Sequence, residues 1–256
     1  MFYYLYQLVD FFMKRQALLI QSPLSGVDYR SGVCIDILRW KSFLMSLHGG
    51  AWDKTEILVL NNPTKQQLKT SLIRAKYSDF SIVVFSGHGF VKKDEIFGDD
   101  ETFLYLNESQ DRDESVISEY ELNPGTPRCI LSFDCCRDYE KEPLSESIVD
   151  ETFGCMSETN RDFYRSMFER QVMRCEKGCT RLYSASVTES ANDAPSFTQI
   201  LLSFAKNWSE ENPHKSMNVR DAMYETINIM RNKFHLTQTP EYKGGRRLNH
   251  FPLIIG

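Results

Sequence analysis

Residues 81–89 read Ser-Ile-Val-Val-Phe-Ser-Gly-His-Gly, a run of β-branched and aromatic residues that ends in a histidine between two glycines. An unbroken apolar run of this kind is typical of a strand buried on both faces of a parallel sheet. In such sheets the reactive crevice lies beyond the carboxyl ends of the strands. The sequence therefore predicts that His88 is exposed in that crevice, where Gly87 and Gly89 let another backbone approach closely.

A second buried strand ends in a pair of cysteines. Residues 128–138 read Arg-Cys-Ile-Leu-Ser-Phe-Asp-Cys-Cys-Arg-Asp. A free cysteine is most often a small buried hydrophobe, and this interpretation suits Cys135. It suits Cys136 poorly, because charged residues follow from Arg137 onward and are expected to mark the end of the buried run. A thiol near an imidazole ionises more readily, so Cys136 and His88 together indicate nucleophilic chemistry.

Strands and helices alternate along the rest of the chain. Six apolar runs predict strands, at residues 17–21, 56–61, 80–86, 128–134, 180–184 and 250–255. Strands that alternate with helices favour an α/β fold, a three-layer α/β/α sandwich with a mostly parallel six-stranded sheet. The crevice is then expected just after Ser86, Asp134 and Ser184.

Four helices have clear signals in the sequence. The first is an apolar pattern from Ile37 to Leu47, and the last is an amphipathic run from Val219 to Met230. The second helix is opened by Asn62-Pro63 and has Leu68, Leu72 and Ile73 on its apolar face. The third begins with a capping box at Ser196–Gln199. Two long polar stretches, 87–125 and 137–178, interrupt the alternation. We expect them to be functional or mobile loops, the second weakly helical near residues 160–175.

Composition limits the possible functions. The chain has 256 residues, 41% of them hydrophobic, which suits one domain over residues 15–256, preceded by an apolar helical extension at 1–14. That extension is too short to span a membrane, and its alternative is a helix at a membrane surface or on a partner. The net charge of −5 argues against nucleic-acid binding.

The cysteines indicate a reducing compartment. There are seven, an odd number, and no signal peptide is evident, which favours reduced thiols and a cytoplasmic location. Cys129 is expected to be a buried hydrophobe. Cys175 and Cys179 lack a second pair with zinc spacing, so they are expected to be ordinary thiols at a helix end rather than a metal site.

The two strand-end motifs resemble those of the caspase and metacaspase superfamily. Ser86-Gly-His-Gly is similar to that family's strand-end motif, and Asp134-Cys-Cys is similar to the Asp-Cys-Cys of metacaspases. The spacing of histidine and cysteine fits the family, and the resemblance covers most of the chain from about Arg15 onward. It implies a cysteine endopeptidase, a thiol protease that acts on proteins or peptides.

The resemblance also implies a division of roles. Cys136 is expected to be the nucleophile and His88 the general acid and base, with the backbone amides of Gly89 and Cys136 as the oxyanion hole. Peptide hydrolysis would then pass through an acyl-enzyme. Such chains are often zymogens switched on by proteolysis or by a partner, so an activating protein or protease is a further expectation.

The resemblance also implies which substrate residue precedes the cleaved bond, because acidic residues match the family's specificity pocket. In metacaspases the acid before the two cysteines binds substrate together with a second acid and a serine. The corresponding residues here are Asp134, Asp36 and Ser86, and the match of Asp36 assumes a one-residue deletion. Ser184 is a further substrate-binding candidate. Buried carboxylates bind a substrate cation through charge-assisted contacts, which predicts cleavage after Arg and less well after Lys. The alternative for Asp36 is an acid in a first helical turn, favoured by the macrodipole.

Calcium, which many metacaspases require, has an incomplete set of ligands here. Asp99, Asp100 and Glu101 begin a segment that resembles the family's Asp-Glu-Thr, and Glu119 is the nearest match to a second ligand. Tyr120 and Pro143, however, stand where the family has further acids. We therefore expect no cofactor, with Asp100 and Glu119 as weak calcium candidates and a solvated acidic loop as the alternative.

Self-processing is a further hypothesis. Residues 137–178 form a candidate processing or activation loop, and its arginines are potential self-cleavage sites or the basic face of an ordinary helix: Arg161, Arg165, Arg170 and Arg174. A catalytically silent adaptor is the alternative function, although retention of His88 and Cys136 weighs against it. A nucleotide-binding domain is disfavoured, because no glycine-rich loop follows the first strand.

Overall fold

The computed structural model describes residues 13–25, 30–93, 100–138, 160–192 and 195–256. The strands are β1 (Arg15–Ser22), β2 (Ile57–Asn61), β3 (Phe80–Gly87), β4 (Gly89–Lys93), β5 (Asp100–Tyr105), β6 (Val116–Ser118), β7 (Arg128–Asp134), β8 (Gly178–Tyr183), β9 (Ser216–Asn218), β10 (Glu241–Lys243) and β11 (Pro252–Ile255). The helices are α1 (Ser31–Met45), α2 (Lys65–Lys76), α3 (Arg112–Ser115), α4 (Arg161–Arg174), α5 (Phe197–Glu211) and α6 (Val219–Asn232).

Six strands form the central sheet, in the order β10-β8-β7-β3-β1-β2. Five of them run parallel, and β10 is antiparallel to its neighbour β8. The predicted α/β class and the mostly parallel six-stranded sheet are thereby confirmed.

Alternate residues of the central strands enter two different cores. On β3, Ile82 and Val84 pack in the core that receives α1, α4, α5 and α6. Val83 and Phe85 point to the other face, into the core that receives α2. Because both faces are covered, the centre of the strand, residues 82–85, is apolar at four consecutive positions and shows no polar alternation in the sequence.

The sixth strand of the sheet differs from the predicted one. Residues 250–255 do contain a strand, β11, but it pairs antiparallel with β9 in a separate two-stranded sheet. The short strand β10 closes the central sheet instead. The run at 250–255 is apolar because β11 packs against α4, α5 and α6, and its composition alone does not specify a pairing partner.

The polar stretch 87–125 is largely folded, contrary to the expected long loop. It forms a three-stranded antiparallel sheet in the order β4-β5-β6. In this sheet Phe90 stacks on Phe103 with ring centroids 5.5 Å apart. The sheet extends directly from the end of β3, so it also shapes the crevice.

Helix starts follow their capping residues. Ser196 caps α5 by accepting a hydrogen bond from the amide of Gln199, which confirms the serine half of the predicted capping box. Helix α2 begins at Lys65, after Thr64, which caps it and forms a capping box with Gln67; the predicted start at Asn62-Pro63 is therefore too early, since both residues precede the helix. The prediction that Ile73 lies on the buried face of this helix is wrong, since its side chain is 60% exposed.

Helix α4 occupies the second half of the predicted loop 137–178. Phe168 is fully buried in the main core. Arg161 donates to the backbone oxygen of Trp52 at 2.8 Å, and Arg165 pairs with Glu56 at 2.7 Å. The helix is therefore docked on the body of the protein, while residues 139–159 lie outside the described part.

The predicted helical extension at residues 1–14 also lies almost wholly outside the described residues, which begin at Met13. Among the helices that the structure describes, none combines the length and apolar character needed to cross a bilayer.

Candidate active site

The histidine and the paired cysteines leave the sheet side by side. Strands β3 and β7 are parallel neighbours, and their last paired residues are Ser86 and Asp134. His88 and Cys136 each lie two residues beyond that pair, and both are partly exposed. The two chains stay together after the strands, because the amide of Val91 donates to the backbone oxygen of Asp138 at 3.0 Å. The predicted common edge of the sheet is thus present.

Gly89 is where the two motifs touch. A Cβ atom added to this residue would lie 2.8 Å from the sulfur of Cys135 and 2.9 Å from the backbone oxygen of Cys136. Real Cβ atoms essentially never approach this closely. A glycine is required here by the close packing of the cysteine segment, in addition to the close approach of another backbone that the sequence predicts.

The loop after β8 holds the segment that carries Cys136. Around the next residue, the amide of Arg137 donates to the backbone oxygen of Glu189 at 2.9 Å, and its own oxygen accepts from the amide of Thr188 at 2.8 Å. The amide of Ala191 approaches the sulfur of Cys136 at 3.4 Å. This loop therefore fixes the backbone of Cys136 and presents an N–H group to its thiol.

Ser184 holds the other cysteine. Its hydroxyl accepts from the amide of Cys135 and contacts the backbone oxygen of the same residue, both at 3.2 Å. Its backbone oxygen accepts from the side chain of Gln238 at 2.6 Å. The side chain of Ser184 is fully buried, so its hydroxyl positions Cys135; its predicted contact with substrate stays a prediction.

Cys135 and Cys129 are buried, as expected for structural thiols. Burial, followed by the charges of Cys136 and Asp134, raises the pKa of the Cys135 thiol. A thiol with a raised pKa is protonated at neutral pH and is a poor nucleophile. Of the two adjacent cysteines, the environment favours Cys136 as the reactive one.

Arg137 is fully buried, so the expectation that it marks the end of the buried run is wrong. Its guanidinium lies 4.1 Å from the ring centre of Tyr183. It donates to the hydroxyl of Thr102 at 3.1 Å and to the carboxylate of Glu241 at 2.8 Å. Arg137 thereby joins the segment after the nucleophile candidate to three separate strands, which sequence reasoning missed.

Asp36 and Asp134 form a buried acid pair. Burial, and then the charge of Asp134, raises the pKa of Asp36 well above its usual value. Burial also raises the pKa of Asp134. The carboxylate of Asp36 accepts from Ser196 at 2.7 Å and from Arg39 at 3.3 Å, and that of Asp134 accepts from the amide of Thr198 at 3.1 Å.

This arrangement overturns the alternative interpretation of Asp36. Helix α1 begins at Ser31 and has no acid in its first turn, so Asp36 is not stabilised by the N-terminus of its own helix. Both carboxylates instead meet the N-terminal residues of α5. Ser86 is buried at the end of β3, beside Asp134 in the sheet register.

The weak calcium candidates do not assemble a ligand set. Glu119 is buried, and its carboxylate accepts from the hydroxyl of Tyr183 and from the amide of Thr102. Asp100 opens β5, and Asp99 lies outside the described residues. Nowhere in the described ranges do three His, Cys, Asp or Glu side chains converge on a possible metal position. The described residues do not fit a bound calcium ion.

Cys175 and Cys179 occupy different environments. Cys175 follows α4 directly, and burial raises the pKa of its thiol to about 11. Cys179 lies on β8, opposite Cys129 of β7. The expected position at a helix end is therefore correct for Cys175 and wrong for Cys179, which lies within a strand.

Comparison with known proteins agrees with this architecture. The family model described as "Caspase domain" matches residues 14–248. The fold is similar to the crystal structure of caspase-1 from Spodoptera frugiperda, with a TM-score of 0.56 and 11% identity, over 92% of this chain and 88% of that one. A search of curated proteins gives no match. Since the family model spans nearly the whole chain, the protein belongs to the caspase family of cysteine peptidases.

Proposed function

We propose that the protein is an active cysteine endopeptidase in which Cys136 is the nucleophile and His88 is the general acid and base. The observation that carries the proposal is the register of β3 and β7, which pairs Ser86 with Asp134 and brings both candidate residues to one edge of the sheet. The partial exposure of both residues supports access by substrate.

The reaction has two steps. The sulfur of Cys136 attacks the scissile carbonyl carbon as its proton passes to His88, and the amides of Gly89 and Cys136 stabilise the oxyanion. His88 then protonates the leaving amine, which gives the acyl-enzyme and the first product. A water molecule, deprotonated by His88, attacks the acyl carbon and releases the second product and the free thiol. No step requires a metal ion.

We further infer a preference for Arg, and less for Lys, before the cleaved bond. The buried pair of Asp36 and Asp134 supports it, because two carboxylates that repel each other gain from a substrate cation placed between them. Arg39 already neutralises part of the charge of Asp36, so Asp134 is expected to contribute more. A guanidinium also binds carboxylates through two parallel hydrogen bonds, which an ammonium cannot do.

The test is a panel of reporter peptides with Arg, Lys, citrulline or Asp before the scissile bond, with and without calcium. We expect hydrolysis in the order Arg, Lys, then the others, unaffected by chelator. A peptidyl-Arg chloromethyl ketone should add one label, which peptide mapping places on Cys136. Faster hydrolysis of the Asp reporter would refute the specificity, and absence of both turnover and label would refute the peptidase activity.

The Arg preference is expected to depend on pH. Because both carboxyl groups have raised pKa values, the pair is fully ionised only above the ordinary range of about 4. The ratio of kcat/KM for the Arg reporter to that for the neutral citrulline reporter should therefore rise as the pH increases above this ordinary value and the two carboxyl groups ionise. The ratio cancels titration of the cysteine and histidine, which both reporters share.

Asp134→Asn is the matched variant for this measurement. It keeps an oxygen that can accept from the amide of Thr198, but it removes one charge. We expect the Arg-to-citrulline ratio to fall about 10- to 100-fold, the value of a hydrogen bond to a charged group. The pKa of Asp36 should also fall, since its anionic neighbour is gone. A ratio unchanged by the substitution would exclude Asp134 from the specificity pocket.

We further propose that the protein processes itself at Lys141. Arg161 and Arg165 are held in the docked helix α4 by their contacts with the body of the protein, and a peptide bond inside a docked helix is a poor substrate for a peptidase. Residues 139–159 contain no arginine, and Lys141 is their one basic residue. We expect slow cleavage that Lys141→Gln abolishes and Arg170→Gln leaves unchanged, measured by intact mass. Fragments that end at Arg161 or Arg165 would contradict this.

Activation by a partner protein and a cytoplasmic location remain proposals. The second rests on the odd number of cysteines in the sequence.

A further inference from the structure

A large open cavity lies at the opposite end of the sheet from the candidate active site. Its volume is about 850 Å³, and the loop after β10 and the first turns of α6 form most of its wall. In this loop, the guanidinium of Arg247 lies over Gly178, the first residue of β8, where an added Cβ atom would be only 2.8 Å from Nη2. Asp134, by contrast, is the last residue of β7, and Cys136 lies two residues beyond it.

Three arginines concentrate positive charge in this cavity, namely Arg220, Arg246 and Arg247. Arg247 is held firmly, since its Nε atom donates to the backbone oxygen of Gly244 at 2.8 Å and its guanidinium lies 4.7 Å from the ring centre of Phe251. Its Nη1 atom is buried without a hydrogen-bond partner within the described part of the chain. A buried guanidinium N–H without an acceptor is costly and rare.

A smaller adjoining cavity of about 190 Å³ extends the positive surface. It shares Arg220, Leu248 and His250 with the larger one and adds Arg174. The chain as a whole carries a net charge of −5, so this local excess of arginine is not a consequence of a basic protein.

The acids near the cavity are already engaged. The carboxylate of Glu176 accepts from the amides of Leu248 and Asn249 at 3.2 and 3.4 Å, and so it shapes the arginine-bearing loop. Asp221 pairs with Arg220 at the partly exposed rim. The wall residue Lys243 pairs with Glu241 at 3.6 Å, and its ammonium lies 4.9 Å from the ring centre of Tyr183.

The imidazole of His250 also lines the cavity, and its pKa is lowered. Burial, and then the positive charges of Arg220 and Arg247, lowers the pKa of its imidazole, against the weaker opposing influence of Asp221 and Glu176. Its Nδ1 atom lies 2.5 Å from the hydroxyl of Tyr242. The arginines that line the cavity make it unfavourable for a further cation and favourable for an anion.

We propose that this cavity binds a small phosphate-bearing molecule, with Arg220, Arg246 and Arg247 around the phosphates and the exposed side chains of Tyr224 and Leu248 against its organic part. The planar guanidinium presents N–H donors in a fork that matches phosphate oxygens. Tyr224 is 55% exposed and Leu248 is 90% exposed, so apolar surface is available beside the cations. The proposal does not depend on peptidase activity.

Isothermal titration calorimetry of the full chain with tripolyphosphate and with ATP tests the proposal. We expect both to bind, more weakly as salt is raised, because exposed charge contacts are screened. Arg220→Gln and Arg246→Gln should each weaken binding of both probes about tenfold, as loss of a hydrogen bond to a charged group predicts. Neither side chain packs in the core, so both variants should fold.

Arg74→Gln is the matched control, since Arg74 is exposed on α2 away from the cavity, and it should leave both affinities unchanged. Tyr224→Ala should weaken ATP several-fold and leave tripolyphosphate unchanged. The absence of binding by either probe at millimolar concentration would overturn the proposal, as would equal loss in the Arg74 variant. An ATP affinity unaffected by Tyr224→Ala would overturn the assignment of the organic contact.

Discussion

Replacing Cys136 by alanine is expected to lower kcat/KM for the Arg reporter by about 10⁴-fold or more, because the covalent step loses its nucleophile. Cys135→Ala is expected to keep kcat/KM within about tenfold of the wild-type value, the range of an ordinary core substitution. The two cysteines are adjacent in the sequence, so the expected difference in reactivity comes from their different surroundings. Cys135 is 2% exposed and has a raised pKa, whereas Cys136 is partly exposed and has the amide of Ala191 3.4 Å from its sulfur.

Initial rates of reporter cleavage measure this contrast, and thermal unfolding of each variant verifies that it is folded. The two substitutions remove the same atom from adjacent residues, so each serves as the control for the other. Activity that survives Cys136→Ala but not Cys135→Ala would move the nucleophile to Cys135. That outcome would require the segment between β7 and the Arg137 backbone contacts to rearrange, since the sulfur of Cys135 now packs against Gly89.

The sequence predicts the position of His88 and Cys136 well for a simple physical reason. Both follow strands that are buried on both faces, and such strands are visible as unbroken apolar runs. Once β3 and β7 are adjacent and parallel, their carboxyl ends must share one edge of the sheet. The register pair of Ser86 and Asp134 is the structural expression of that pattern.

Strand β10 could not be predicted in the same way. Its three residues, Glu241–Lys243, include two charges and no aliphatic side chain. A short edge strand has no hydrophobic face that fixes it, and its pairing with β8 is set by the tertiary structure. The sequence therefore predicts the more apolar run at 250–255 as the sixth strand of the central sheet. In the structure that run forms β11, which packs against helices and pairs with β9 instead.

Arg137 could not be predicted for a related reason. A charged residue after a buried run is normally exposed, because burying an unpaired charge is costly. Its burial becomes favourable only through Thr102, Tyr183 and Glu241, which lie on strands far apart in the sequence. No local pattern encodes a set of contacts of this kind.

Arg137→Met is expected to destabilise the protein by about 3 kcal/mol, since one partner of a buried ionic network is removed. At a typical 2–4 °C per kcal/mol for a chain of this size, Tm should fall by about 6–12 °C. Burial alone would raise the pKa of Glu241, but the hydrogen bond and charge of Arg137 outweigh burial and lower it. In the variant that carboxylate loses its partner at 2.8 Å, and its pKa should rise.

The same substitution should also lower kcat/KM when activity is assayed at a temperature well below Tm, where the variant is folded. The reason is that Arg137 positions the backbone next to Cys136 through the loop and strands that it joins. Arg165→Met separates this effect from stability. Arg165 also forms an ion pair, with Glu56 at 2.7 Å, but it is less buried than Arg137 and lies on α4 away from the two strand ends. We expect it to lower Tm and leave kcat/KM of the folded enzyme unchanged. If Arg137→Met behaves like Arg165→Met in both measurements, Arg137 serves only the stability of the fold, and the backbone contacts with Thr188 and Glu189 suffice to position Cys136.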